Sequence, residues 1–309
     1  MQQRAIGKSG IQVSAIGLGC NNFGWLIDAQ ASNAVIARAL DLGITFFDTA
    51  DVYGDSEIVL GKALAGRRKD VVIATKFGIG RNGQAGGASR DYVLQAVERS
   101  LERLGTDYID ILYLHRPDPA VPLEETLGAF EQLIRQGKVR HAAASNMTPE
   151  LLREAAAAAA AKHLEGFIAT QEHYNLLVRK LERTLAPQAQ QLGMGIIPYF
   201  PLESGVLTGK YRRGAAPAPG TRLDAWKQLA ATLSDENFDK IERLQAFADA
   251  NGHTLAELAI AWLLAKPYVP SVIAGATKPT QIEANCRAAD WRLTAAQLAE
   301  VERLVPVAA

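Results

Sequence analysis

Short runs of β-branched or apolar residues, each followed by a longer stretch of helical period, recur along the whole chain, and this alternation restricts it to a parallel α/β sheet. The runs occupy residues 15–18, 44–47, 71–75, 109–114, 139–144, 167–170, 195–199 and 271–274. Between them lie amphipathic segments over 29–42, 92–104, 123–136, 149–162 and 178–192, long enough to cross back over a sheet. Eight βα units in 309 residues predict a (β/α)8 TIM barrel, with a single domain over 1–309. Residues 4–13 read as two extended runs around Lys8-Ser9-Gly10, a hairpin suited to closing the barrel floor. After the seventh run the chain spends about 70 residues before the eighth, more than one crossover requires. That span holds a Gly/Pro-rich stretch, 214–220, and a helical one, 255–265; a last helix is predicted over 295–304, so extra helices follow strands seven and eight.

Composition narrows the function classes. Lys plus Arg and Asp plus Glu both number 33, so no excess positive field exists to hold nucleic acid or an anionic membrane. The 48% hydrophobic content suits a packed core. Cys20 and Cys286 can make at most one bridge, which points to a reducing cytoplasm. The longest apolar region, 255–276, is broken by Glu257, Lys266, Pro267 and Pro270, and residues 1–7 lack the apolar stretch of a signal peptide, so neither a membrane span nor export is expected. His141, His163, His173 and His253 show no ligand spacing, and no metal is expected.

In a TIM barrel, side chains just after strand ends share one mouth. The second run ends in Asp48-Thr49-Ala50-Asp51-Val52-Tyr53-Gly54, the third in Lys76 and the fourth in His115-Arg116. Taken singly, Asp48 is a helix cap, Lys76 a solvated lysine, Tyr53 a packing residue and His115 a core hydrogen-bonding group. Together, at the same ends of three consecutive strands, they make a site. A phenol titrates near 10, too high for an efficient acid at neutral pH. An ammonium roughly 4 Å away is worth about 4 kcal/mol at an effective dielectric of about 20, and is expected to lower Tyr53 by up to about three units before desolvation opposes it. Lys76 supplies that ammonium, Asp48 holds it, and a neutral His115 can donate to a substrate oxygen. Such a site reduces carbonyls, and because no side chain supplies a hydride, it calls for a nicotinamide.

The stretch Gly43-Ile44-Thr45-Phe46-Phe47-Asp48-Thr49-Ala50-Asp51-Val52-Tyr53-Gly54, with Ala74-Thr75-Lys76 and Tyr113-Leu114-His115, resembles the aldo-keto reductase family. Further matches are Ser145-Asn146, Gln171-Glu172-His173-Tyr174-Asn175, Pro198-Tyr199-Phe200-Pro201-Leu202, Gly205-Val206-Leu207-Thr208-Gly209-Lys210-Tyr211 and Gly275-Ala276-Thr277-Lys278. Leu258-Ala259-Ile260-Ala261-Trp262 and the segment 275–285 resemble the branch of bacterial general reductases related to potassium-channel β subunits. The resemblance implies Tyr53 as general acid, tuned by Lys76 and Asp48, with His115 orienting the carbonyl. It implies that Ser145, Asn146 and Gln171 hold the nicotinamide carboxamide, that Tyr199 stacks on the ring, and that Leu202, Gly205 and Lys210 meet the phosphates. By the same carry-over, Arg222, Thr277 and Lys278 meet the adenosine 2′-phosphate, which selects NADPH over NADH, while Gln281 and Asn285 meet the adenosine. Gly19, Cys20 and Gly275 are expected to touch the cofactor, the first two through their backbone. Trp25 and Trp226 are candidates for the wall of a pocket that takes a small carbonyl substrate.

Some positions depart from the family pattern. Phe200 replaces a frequent serine, Ala284-Asn285 replaces a Glu-Asn pair with Glu283 one position early, and Ala142-Ala143-Ala144 replaces a glycine-containing approach to Ser145. Gly78-Ile79-Gly80-Arg81-Asn82-Gly83 matches G-x-G-x-x-G, but its helix is expected only near Ser89-Arg90-Asp91, too late for a Rossmann phosphate turn. The activity expected is NADPH-dependent reduction of aldehydes, and of some ketones or sugars. Two other functions stay open: a cofactor-occupied redox-sensing subunit with little turnover, and a Schiff-base aldolase using Lys76.

Overall fold

A computed structural model describes residues 1–80, 85–219, 221–226 and 231–307. Gly83 of the G-x-G-x-x-G stretch and Gly220 of the Gly/Pro-rich stretch lie outside them. A hairpin of β1 (Gln3–Ala5) and β2 (Gln12–Ser14) comes first, antiparallel, with Arg4 opposite Val13. Eight parallel strands follow: β3 (Ile16–Gly19), β4 (Phe46–Asp48), β5 (Val72–Phe77), β6 (Ile109–Leu114), β7 (Val139–Ser145), β8 (Ala169–His173), β9 (Gly195–Tyr199) and β10 (Val272–Gly275). Their order is β10-β3-β4-β5-β6-β7-β8-β9, and Ile196 N–H donates to the Tyr268 carbonyl at 2.8 Å, drawing β9 toward the approach to β10. The result is a nearly closed (β/α)8 TIM barrel. Every one of the apolar runs became a barrel strand.

Two apolar clusters hold the barrel. Inside it, Phe46, Ile111, Tyr113, Ala143, Ala169 and Ile197 pack together, joined by Ile6 and Val13 from the hairpin. The hairpin therefore plugs the interior from the floor, where Lys8 N–H donates to the Gly193 carbonyl at 2.9 Å, just ahead of β9. Outside it, helices bury their apolar faces against the strands; Leu127, Phe130 and Leu133 of one helix lie fully buried there. Because parallel strands are covered on both faces, they read as apolar runs and not as alternating ones.

Among the described residues the helices are α1 (Ala29–Asp41), α2 (Ser56–Ala63), α3 (Arg90–Leu104), α4 (Leu123–Arg135), α5 (Pro149–Lys162), α6 (Leu185–Gln191), α7 (Arg222–Ala225), α8 (Asp235–Ala250), α9 (Leu255–Leu264), α10 (Pro279–Ala288) and α11 (Ala295–Leu304). The segment 178–192, expected as one helix, is a 3-10 turn, Lys180–Arg183, followed by α6. Pro187 explains the break: lacking an N–H, it is tolerated only in a first helical turn, so α6 starts just ahead of it. The helix α2 was not anticipated. It carries Gly61 in its interior, a poor helix former, but a Cβ there would lie 2.2 Å from the Leu104 carbonyl, so the glycine is what lets α2 close on α3. Capping boxes at Thr254/Glu257 and Thr294/Gln297 start α9 and α11. The long connection after β9 contains a 3-10 turn, Glu203–Thr208, then α7 and α8 before the barrel helix α9, and α11 is the addition after α10. After the glycine-rich stretch of the sequence, α3 begins only at Arg90. Cys20 and Cys286 are both free thiols, and among the described residues no helix is long and apolar enough to cross a membrane.

Candidate active site

Strand register brings four titratable side chains to one end of the barrel. Asp48 is the last residue of β4, Lys76 lies one position from the end of β5 opposite Tyr113, and His115 directly follows β6. Lys76 is fully buried, with Nζ 2.5 Å from Asp48 Oδ1 and donating to the Thr49 carbonyl at 2.8 Å. The same ammonium lies 5.1 Å from the Tyr53 ring centroid, close enough for its charge to act on the hydroxyl. His115 meets Tyr53 edge-on, with centroids 5.8 Å apart and planes at 84°. Its position is fixed by the strand, since its backbone N–H donates to the Phe77 carbonyl at 2.8 Å.

The electrostatics differ in one respect from the sequence expectation. Burial raises the Tyr53 hydroxyl above its ordinary value; Lys76 lowers it and Asp48 raises it, and the net direction is upward. The expected net lowering does not occur, because desolvation is the largest influence and Asp48 adds to it, so together they outweigh the stabilisation that Lys76 gives the phenolate. For Lys76, burial opposes the charge, but Asp48 and Tyr53 more than restore it, so the amine stays protonated. Burial, then Lys76 and Arg116, hold His115 down at about 3, which makes it a neutral imidazole. Cys20, buried beside this group, is pushed up by burial and by Asp48, so it is an inert thiol.

Around the four, the residues read as cofactor-binding form connected groups. Gly19 lies opposite both Asp48 and Gly275, and Cys20 N–H donates to the Asp48 carbonyl at 2.8 Å. Gln171 donates through Nε2 to Asp48 Oδ2 at 2.9 Å, and Ser145 Oγ donates to the Gln171 carbonyl at 2.7 Å. Asn146 Nδ2 donates to the His115 carbonyl at 2.9 Å, and Tyr199 donates to Asn146 Oδ1 at 2.8 Å. Further along, the Leu202 carbonyl accepts from Gly205 and Leu207, and Gly205, at φ 92°, passes under Lys210. A Cβ on Gly205 would sit 2.6 Å from Lys210 Nζ. At the start of α10, Thr277 N–H and Oγ1 donate to Gln281 Oε1 at 2.7 and 3.1 Å, with Lys278 in the cap position. Arg222 turns toward the mouth: it donates to Asn22 Oδ1 at 2.8 Å, lies over Phe200 and Trp226, and interacts with Tyr53. Among the described residues no hydrogen bond or ion pair joins it to Thr277 or Lys278. Trp25 and Trp226, far apart in sequence, stack at 5.9 Å and 14°.

A model of the aldo/keto reductase family matches residues 15–306. The chain belongs to this family. Among its relatives, an Arabidopsis thaliana protein named a probable voltage-gated potassium channel subunit beta is 39% identical over 319 residues, covering 99% of this chain and 97% of that protein. A Glycine max protein named probable aldo-keto reductase 1 is 35% identical, covering 99% of this chain and 90% of its own length. The L-glyceraldehyde 3-phosphate reductase of Escherichia coli strain K12 is 34% identical, covering 93% of this chain and 87% of its own. This aldo-keto reductase is accordingly an oxidoreductase.

Its residues fit a dinucleotide. Ser204 Oγ, Asn285 Nδ2 and His115 Nδ1 are buried and have no hydrogen-bond partner among the described residues. Orphaned polar atoms are costly, and a polar ligand relieves them. The aldo-keto reductase mouth also contains residues the sequence did not single out. Asn22 holds Arg222; His173 stacks on Tyr199 at 5.4 Å and pairs with Glu203 at 2.6 Å; Glu172 lies buried behind Asn146. Alternation along β8 was the available signal for Glu172 and His173, since a polar Gln-Glu-His run cannot all face the barrel interior. Nothing local pointed to Asn22. Glu283, one position early for the family's Glu-Asn pair and given no role above, pairs with Arg38 at 2.8 Å.

Proposed function

We propose that this protein is an NADPH-dependent reductase of aldehydes, and of some ketones or sugars, acting on a small carbonyl substrate in the cytoplasm as one barrel domain. The observation that carries the reading is the fully buried Lys76 ammonium, held by the Asp48 carboxylate 5.1 Å from the Tyr53 ring centroid, with a neutral His115 edge-on to the same phenol. When bound, a reduced nicotinamide supplies the hydride that the carbonyl carbon accepts. Tyr53 gives its hydroxyl proton to the carbonyl oxygen, and Lys76 stabilises the phenolate left behind. Asp48 and the Thr49 carbonyl keep that ammonium in place, so it need not reorganise as charge moves. His115, uncharged, offers a ring N–H to the oxygen while negative charge builds there. Ser145, Asn146 and Gln171 would hold the carboxamide, Tyr199 the ring, Lys210 and the Gly205 turn the phosphates. Lys278, Thr277 and Arg222 would hold the 2′-phosphate, with Gln281 and Asn285 at the adenosine. Trp25 and Trp226 would form one wall of the pocket.

The name of the Escherichia coli relative supports an aldehyde substrate. The Schiff-base alternative is disfavoured by Lys76 itself, because a nucleophilic amine must lose its proton and this one is ion-paired at 2.5 Å. The channel-subunit names support a second reading, a cofactor-occupied subunit that reports redox state to a partner. Steady-state assays over a panel of aldehydes separate the two: repeated turnover supports the reductase, and single turnovers alone support the sensor. Replacing Tyr53 by Phe tests the acid directly. The expected result is a fall in kcat of about 10²–10⁴ with NADPH binding retained; undiminished turnover removes Tyr53 from the role.

A further inference from the structure

Glu172 is a buried carboxylate for which the reaction above has no use. On β8 it alternates with Gln171, whose side chain reaches inward to Asp48, so Glu172 faces the other way, toward the loop joining β7 to α5. There its Oε1 accepts the Met147 backbone N–H at 2.9 Å and the Thr170 hydroxyl at 2.5 Å. Met147 follows Asn146, which sits at φ 58°, a left-handed conformation that L side chains disfavour and that asparagine tolerates best. In that conformation the Asn146 side chain links three strand ends: Nδ2 donates to the His115 carbonyl at 2.9 Å and to Ser145 Oγ at 3.1 Å, and Oδ1 accepts from Tyr199 at 2.8 Å.

We propose that Glu172 is a positioning residue whose carboxylate pins the peptide after Asn146 and so presets Asn146 and Tyr199 for the nicotinamide end of the cofactor. The inference rests on the NADPH reading above. Thr170 approaches Glu172 from its own strand, the Asn146 and Met147 peptides from the β7–α5 loop, Lys180 from the 3-10 turn and Tyr199 from β9. Burial pushes its carboxyl up to about 7, against the lowering effect of Thr170, the two peptide N–H groups and Lys180. Both protonation states are then populated near neutrality. The charged form is the stronger acceptor of the Met147 N–H. Affinity for the cofactor is therefore complete above this value and declines as pH falls through it.

The test is NADPH titration by quenching of intrinsic tryptophan fluorescence, from about pH 5.5 to about pH 8.5, with wild-type and Glu172→Gln protein side by side. Taking the ratio of their dissociation constants cancels the titration of the ligand's own phosphate. The ratio is expected near one at the acid end and to rise to about tenfold at the alkaline end, the size of one charge-assisted hydrogen bond. A ratio that does not change with pH overturns the proposal, as does equal affinity throughout. Thr170→Val leaves Glu172 in place and removes one donor to its carboxylate, so the midpoint of the wild-type affinity change should move to higher pH. An unmoved midpoint overturns the proposal even where Glu172→Gln does not fold. Wild-type protein that binds no NADPH at any pH defeats the cofactor reading as well; binding matched by Glu172→Gln defeats only the role of Glu172.

Discussion

Replacing Lys76 by Met should destabilise the protein far more than the ion pair itself stabilises it. At 2.5 Å and an effective dielectric of about 20, the Lys76–Asp48 attraction is roughly 7 kcal/mol. Both side chains are almost wholly out of water, at 0% and 6% exposure, and desolvation costs several kcal/mol for each ion, so the intact pair comes close to balance. Removing only the ammonium leaves the Asp48 carboxylate buried with Gln171 as its remaining side-chain donor. The expected cost is about 3–5 kcal/mol. The double variant Asp48→Asn/Lys76→Met carries no stranded charge and should recover most of this loss. Urea unfolding at constant slope measures each protein, and the coupling energy follows from the cycle. Acid offers an independent check, since protonating a stranded carboxylate relieves it: the Lys76→Met deficit should shrink as pH falls. A single variant that loses less than about 1 kcal/mol, or a double variant no better than the single, would refute the view that the two charges exist only for each other.

Gly205→Ala should weaken NADPH binding about tenfold, because its Cβ would displace the Lys210 ammonium and strain a residue at φ 92°. A fluorescence titration with unchanged affinity would remove the Gly205 turn from the phosphate site. His115, held at about 3, stays neutral through the acid range in which an unfolded chain's histidine charges, near 6.5. The unfolded state therefore takes up this proton first as pH falls, and stability is lost between about 6.5 and 3. His115→Gln should accordingly lose less stability than wild type between about pH 7 and 4 by thermal melts, and equal losses would show that His115 charges in the folded protein.

The barrel was legible because a strand covered on both faces must be apolar along its length, which leaves runs such as Ile109–Leu114 and Gly195–Tyr199 plain in the sequence. The four residues at the reacting centre were legible for a related reason. Each follows such a run at its carboxyl end, and the barrel delivers those ends to one mouth. The pairing of Trp25 with Trp226, and of Asn22 with Arg222, was not legible, because both join the loop after β3 to the long loop after β9, and loop paths depend on contacts that residue order does not encode. Helix α2 was hidden by Gly61, whose value lies in the approach of α3 and not in its own propensity. Glu172 and His173 lay beyond the apolar run 167–170, inside a family-like stretch where neither was given a role, and only the direction each side chain takes from β8 distinguishes them.

The sign of the Tyr53 shift changes what Lys76 is understood to do. A phenol brought well down by an uncompensated ammonium would have lost part of its hold on the proton before substrate arrived. In this site burial keeps Tyr53 protonated, and Asp48 prevents Lys76 from reversing that. What the ammonium contributes is a stationary positive charge at the oxygen that must carry a negative one after the proton has left. The lysine is therefore worth little to the resting phenol and much to the phenolate. Its fixed bonds to Asp48 and the Thr49 carbonyl make that difference available without rearrangement at the moment of transfer. Reduction draws on the protonated phenol, which is the form burial favours, and a neutral His115 beside it adds no charge to compete for the same proton.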